Sequence, residues 1–527
     1  MTRSALRKRS NRGPSTRYGR PKYHRPVQES ALSAWVLVPI VAIVGAFVAS
    51  QFFTLNPRYI KLMAGALAVL AILRSSFPAA VTFFLLAFPV PTFVFVSDTN
   101  LLLIGLLLTV WVVNMTMGRL PRPLHSPVDW AIWIYIGIHV LSFINVDTPE
   151  SLSRGVNSFL YLASGAVFFW LLYNGLRTQH HLYRAFVALC ALSLFVNISA
   201  FVEHFFHYEL VPEWFLYRAG QTRNDIRVGG IFGFHGLLAD FNAIVFYLQI
   251  FMGMRAREKW LKVYYYGLAI FGLIVITWTV NRGGAIAWAL GGGYFLFLMR
   301  RRIDWVKAIV AAPALIAVFF VNQWVSSFGA QRVMLFARIA GTQLERGVPD
   351  NRVRAWTQIM ERIPEHLWIG HGPFYKLGGV GEAKIAYPHS AYLFYLYTTG
   401  ILGLASWLWI LVKLVLVTFP GFHVDFRRAS FVKGAQALLH VQILMFAAAQ
   451  VRDEHQRGNV YLYVMWILFG LGAVATRMVK EERARARADQ DMDMDLDLDP
   501  EPEEGPADLG PPGRAWGRLA APDRRLT

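Results

Sequence analysis

Apolar residues along this chain gather in long runs separated by short polar stretches. A helix crossing the ~30 Å hydrocarbon core of a bilayer needs roughly 20 mostly apolar residues, and about 14 runs approach that length. They cover residues 31–54, 59–73, 79–96, 101–117, 128–144, 156–172, 182–206, 237–254, 263–278, 285–299, 306–321, 391–419, 434–448 and 460–476. The runs lack the alternation of barrel strands, and only a helix satisfies its backbone polar groups within its own segment. The pattern predicts an all-α, polytopic integral membrane protein of about 12–14 transmembrane helices.

One long polar interruption stands out, residues 322–389. It contains Asn351-Arg352-Val353-Arg354-Ala355-Trp356, Gly370-His371-Gly372 and Pro388-His389-Ser390. Asp350 can cap a helix whose apolar residues Val353, Trp356, Met360 and Ile363 recur at helical spacing, with Pro364 ending it. Such a helix is expected on the membrane surface, apolar face down. The organisation that follows is a basic tail over 1–30, a transmembrane domain over 31–476 that includes the 322–389 loop, and a tail over 477–527. The last part turns into an Asp-Met-Asp-Leu repeat with Glu- and Pro-rich sequence, which cannot build a core and is expected to be disordered.

Composition agrees: the 527 residues are 55% hydrophobic and 16% charged, which excludes ordinary soluble domains. The single cysteine, Cys190, lies in an apolar run, so neither a disulfide framework nor a cysteine-based metal site is available. The net charge of +19 raises nucleic acid as a partner, but its placement points elsewhere. Basic residues crowd both tails and the loops at one set of span ends, including Arg119, Arg122, Arg177, Arg255, Arg300, Arg427 and Arg428. That asymmetry orients a membrane protein with both termini cytoplasmic, and the N-terminal basic run suits anionic lipid, with no nucleic acid.

The opposite loops are also rich in arginine, against the usual bias. They hold Arg223, Arg227, Arg282, Arg352 and Arg354. The planar guanidinium fork suits phosphate and carboxylate oxygens, so an anionic ligand on the far side of the membrane is expected. Arg227 precedes Gly229-Gly230-Ile231-Phe232-Gly233, where glycines allow close backbone approach to a ligand or simply make a turn beside an interfacial charge. Arg282 lies between two closely spaced spans, as a site residue or as a snorkelling side chain. Arg352 and Arg354 sit near the start of the surface helix, either at an anion site or as solvated charges. His389, opening a span, can act as a base toward a hydroxyl or be an interfacial polar residue, and His371 is a second candidate. Glu203 and Asp240, inside apolar runs, would bind substrate or pair with nearby arginines. No metalloprotease, nucleotide-loop or serine-hydrolase signature occurs, so no metal and no cofactor are expected.

These motifs in their order resemble the O-antigen ligase and polymerase superfamily. Arg227 with Gly230-x-Phe232-Gly233 is followed by Asn281-Arg282-Gly283, Arg352-x-x-x-Trp356, Pro364, Gly370-x-Gly372, and His389 with Gly400-Ile401-Leu402-Gly403. The resemblance covers residues 182–476 and implies an inverting, metal-independent transfer of glycan from a polyprenyl (undecaprenyl) diphosphate carrier on the periplasmic face of the bacterial inner membrane. It further implies Arg227 and Arg282 on the diphosphate, His389 as activator of the acceptor hydroxyl, and an acceptor that is a glycan, a lipid or a protein. The chain departs from the family with Ser390 after the histidine and Asn281 before the arginine. Polymerase, ligase and protein glycosylation stay open, as does the oligomeric state. The competing classes are a transporter or flippase of an anionic solute, which would place its charges at mid-membrane in repeated halves, and a noncatalytic scaffold, which needs neither Arg227 nor His389.

Overall fold

The computed structural model describes residues 75–89, 99–118, 120, 122–206, 227–301, 317, 320–321, 344–345, 348–373, 388–452 and 459–497. The predicted spans over 31–54 and 59–73 and nearly all of 306–321 lie outside them, as does Arg223. The described residues form an all-α protein. In chain order the helices are α1 (Phe77–Ala87), α2 (Thr99–Thr116), α3 (Asp129–Ser142), α4 (Pro149–Gly175), α5 (Gln179–Phe206) and α6 (His235–Arg255). They continue with α7 (Lys259–Trp278), α8 (Arg282–Met299), α9 (Asp350–Arg362), α10 (Ala391–Thr418), α11 (Phe431–Ala449) and α12 (Asn459–Asp497). A two-residue antiparallel ladder, Leu344–Glu345 with Val348–Pro349, precedes α9.

Seven helices are long and apolar enough to cross a membrane among the described residues, namely α4, α5, α6, α7, α10, α11 and the Leu462–Gln490 part of α12. Their outward side chains support a lipid environment, with Val263 72% and Leu416 67% exposed. In water such surfaces would be a liability. Inside, the bundle is held by packing and cross-helix hydrogen bonds, because lipid removes the hydrophobic drive between helices. Trp407 of α10 and Trp466 of α12 are fully buried. The Tyr463 hydroxyl meets the Ser164 hydroxyl at 2.9 Å, tying α12 to α4.

At one end of the bundle, arginines close the carbonyl ends of helices and turns. Arg255 donates to the carbonyls of Phe426, Arg427 and Ala429 at 3.3, 3.1 and 2.7 Å. Arg300 donates to Phe422 at 2.6 Å, and Arg477 to Tyr173 and, at 2.5 Å, to Leu176. The opposite end collects the first turns of α6, α8, α10 and α12 and the last turns of α5, α7 and α11.

The chain divides into two units, Met1–Val479 and Lys480–Thr527. In the second, the described residues continue a helix to Asp497, with Arg485 and Glu481 paired at 3.9 Å. The helix thus runs on past residue 477 into the tail. The Ala, Arg, Glu, Met and Leu content of the run favours helix, and i, i+4 charge pairs add to it.

Candidate functional site

The glycine turn ahead of α6 is built on α5. Ser199 Oγ accepts the Ile231 N–H at 2.9 Å, and the Glu203 carboxylate accepts the N–H groups of Gly229 at 3.2 Å and Gly230 at 2.5 Å. Glu203 thereby secures a backbone turn. Arg227, at the entry of that turn, donates from Nη1 to His235 Nε2 at 2.8 Å, and His235 opens α6.

One residue further, Gly236 brings α6 beside Asn281, whose Nδ2 would lie 3.2 Å from a Cβ at that glycine. Asn281 caps α8: its Oδ1 accepts the N–H groups of Gly283 at 3.1 Å and Gly284 at 3.2 Å. Arg282 is therefore the first residue of a capped helix, where the backbone dipoles favour anions. Val280, just before the cap, has a φ of 50°, a backbone conformation costly for a β-branched residue.

The same Asn281 oxygen also accepts a hydrogen bond from Arg452, which follows α11. The other terminal nitrogen of Arg452 pairs with Asp240 Oδ1 at 2.9 Å, and Asp240 is only 4% exposed. A side chain at Gly283 would collide with this guanidinium. Asp240 thus finds its arginine not nearby in the chain but across the bundle.

The turn that carries His389 is clamped from two sides. Arg352 Nη1 donates to the His389 carbonyl at 3.3 Å and to the Arg452 carbonyl at 2.9 Å. Trp356, one helical turn along α9, donates from Nε1 to the Pro388 carbonyl at 2.7 Å. The Ala391 N–H donates to the Gln450 carbonyl at 2.9 Å. Within this grip His389 adopts a φ of 48°. The Arg-x-x-x-Trp spacing now has a structural reason, since positions four apart share a helix face. Arg354 lies on the same helix.

Of the face expected from Val353, Trp356, Met360 and Ile363, Ile363 is buried just past the end of α9, Val353 and Trp356 are half-buried, and Met360 is 55% exposed. Ala355 and Ile359 of α9 are also buried.

His371 belongs to a different arrangement. Helix α10 breaks at Gly400, with φ 66° and ψ −167°. Segment 367–372 supplies the missing partners: the N–H groups of Ile401 and Leu402 donate to the carbonyls of Leu367 and Trp368 at 2.9 and 3.2 Å. In return His371 and Gly372 donate to Tyr397 and Thr398 at 2.9 and 3.0 Å. The His371 ring stacks on Tyr397 at 4.4 Å and its Nε2 lies 3.1 Å from the Arg362 carbonyl. Burial holds its pKa below the ordinary histidine value, partly opposed by the Arg362 carbonyl. Six helical rises separate Ala391 from Tyr397, so the His371 ring lies about 9 Å along α10 from the start of that helix.

Hydrogen bonds therefore join Asn281, Arg452, Arg352 and the His389 turn at one end of the bundle, with Arg282 next to Asn281 in the chain and the Arg227–His235 pair leading into Gly236 beside Asn281, whereas His371 braces the α10 kink. Arg452 and His235 went unrecognised in the sequence. The one available signal was Asp240, a buried carboxylate that requires a cation without saying which.

No curated protein matches the chain. Residues 243–408 match the O-antigen ligase family, a segment that contains Arg282, Arg352, Trp356, His371 and His389. Arg227, Asp240 and Arg452 fall outside it. Over this segment, just under a third of its length, the chain is similar to the O-antigen ligase family.

Proposed function

We propose that the protein is a membrane glycosyltransferase that moves a glycan from a polyprenyl diphosphate carrier to a hydroxyl acceptor, on the periplasmic face of the bacterial inner membrane. The family match supports a glycosyl-transferring role in surface polysaccharide biosynthesis and implies a lipid-linked donor. The observation that carries the finer reading is the joining of Arg282, on a capped helix start, to the clamped His389 turn through Asn281, Arg452 and Arg352.

In this reading, Arg282 and Arg227 hold the diphosphate oxygens. The acceptor oxygen attacks the anomeric carbon from the face opposite the carrier while His389 takes its proton. The bond from the anomeric carbon to the diphosphate oxygen breaks, and its electron pair leaves with the polyprenyl diphosphate. The products are the inverted glycoside and the free carrier diphosphate. The fixed guanidinium charges stabilise the leaving group as its charge grows, so the step needs no metal. The bonded crowd of arginines at the opposite end supports its assignment to the cytoplasm.

Complementation of a deletion strain tests the reading. Arg282→Ala and His389→Ala, at wild-type membrane levels, are expected to accumulate carrier-linked glycan. Normal surface polysaccharide from both would sink it.

A further inference from the structure

Arg452 touches both the start of α8 and the Arg352 clamp on the His389 turn without being one of the site's expected ligand-gripping arginines. Its guanidinium joins Asp240 of α6 to the Asn281 cap of α8, and its carbonyl receives Arg352, which also holds the carbonyl of His389. The Arg282 side and the His389 side of the site thus meet on one residue. We propose that Arg452, anchored by Asp240, is a positioning residue for glycan transfer that fixes the start of α8 and the His389 turn relative to each other. This rests on the glycosyltransferase reading above.

The chemistry of the contacts supports a specific role for arginine. A planar fork can serve Asp240 and the Asn281 oxygen together, whereas a lysine offers one point charge. Gly283 leaves the space in which the fork lies against the first turn of α8. Asp240, buried at 4% exposure, fixes the fork through a charge-assisted bond. The Asn281 oxygen is shared between this fork and the two N–H groups it caps. A displaced fork would therefore loosen the cap from which Arg282 projects.

The test uses the full-length chain in lipid nanodiscs, with undecaprenyl diphosphate as binding probe and carrier-linked glycan as donor. Arg452→Lys is expected to fold and to lose about 10-fold in both diphosphate affinity and kcat. Asp240→Asn, which leaves Arg452 in place without its anchor, is expected to show the same pair of losses. In an Arg282→Ala background, Arg452→Lys should change diphosphate affinity less than about 2-fold, because coupled sites are non-additive. The proposal is overturned if Arg452→Lys weakens binding by the same factor in both backgrounds. It is equally overturned if both variants, per folded molecule, bind and transfer as wild type, which would leave Arg452 a purely structural residue. Arg282→Ala alone separates the two readings: wild-type binding and transfer in that variant would remove the proposed function itself, and the role of Arg452 with it.

Discussion

Arg352 distinguishes a clamp from a ligand-binding charge. Its Nη1 donates to the carbonyls of His389 and Arg452, and each such charge-assisted bond contributes about 1.5–3 kcal/mol. The side chain is half-buried, so water replaces part of that on removal. Holding His389 in the left-handed region costs about 1–3 kcal/mol, an amount of the same size. Arg352→Ala should therefore let the turn relax by about 2 kcal/mol, which lowers the competent population and kcat roughly 30-fold. Donor KM should stay nearly constant, because both of these bonds go to protein carbonyls. Trp356→Phe, which removes only the bond to Pro388, should lower kcat by a smaller factor, about 3–10-fold. The assay is steady-state transfer by the purified chain in nanodiscs, with donor and acceptor varied separately. An unchanged kcat with a raised donor KM would refute the clamp and return Arg352 to the role of anion ligand.

Other outcomes follow from the same geometry. Gly400→Ala would place a Cβ on the backbone of Trp368 at a φ of 66°, so a loss of at least ~1–2 kcal/mol is expected, read as a lower melting temperature in detergent. Glu203→Ala removes the acceptor for the Gly229 and Gly230 N–H groups; displacement of Arg227 should weaken undecaprenyl diphosphate binding by roughly 10-fold, measured by titration of the purified chain. His371 has a folded pKa below its unfolded value near 6.5, so the unfolded state binds more protons and stability falls as pH drops through 6.5 toward the folded pKa. Melting temperature between pH 7 and pH 5 should accordingly fall more steeply for wild type than for His371→Gln, and equal slopes would contradict the assignment.

Much of the helical frame is legible in the hydrophobic runs. The runs at 182–206, 237–254, 263–278 and 391–419 meet α5, α6, α7 and α10 within a few residues, because length and apolarity alone set what can cross a bilayer. The break in α10 at Gly400 is not legible, since it depends on segment 367–372 supplying hydrogen bonds from elsewhere in the chain. Asp240 announces a need for a partner, yet Arg452 stands 212 residues away, and no local pattern encodes so distant a pairing. In the sequence His371 and His389 are both polar residues near an apolar run; the backbone bonds of segment 367–372 to α10 and the stacking on Tyr397 set His371 apart. The helix reaching Asp497 shows that low core-forming capacity does not forbid a helix built from strong helix formers.

The most direct test of the account is glycan transfer by the purified chain from an undecaprenyl-diphosphate-linked donor, comparing wild type with Arg282→Ala and His389→Ala at equal folded amounts. The account predicts transfer by the wild type and losses of about 10²–10³-fold in each variant, the size expected on removing a group that stabilises developing charge or takes the transferred proton. Wild-type rates in both variants would contradict it.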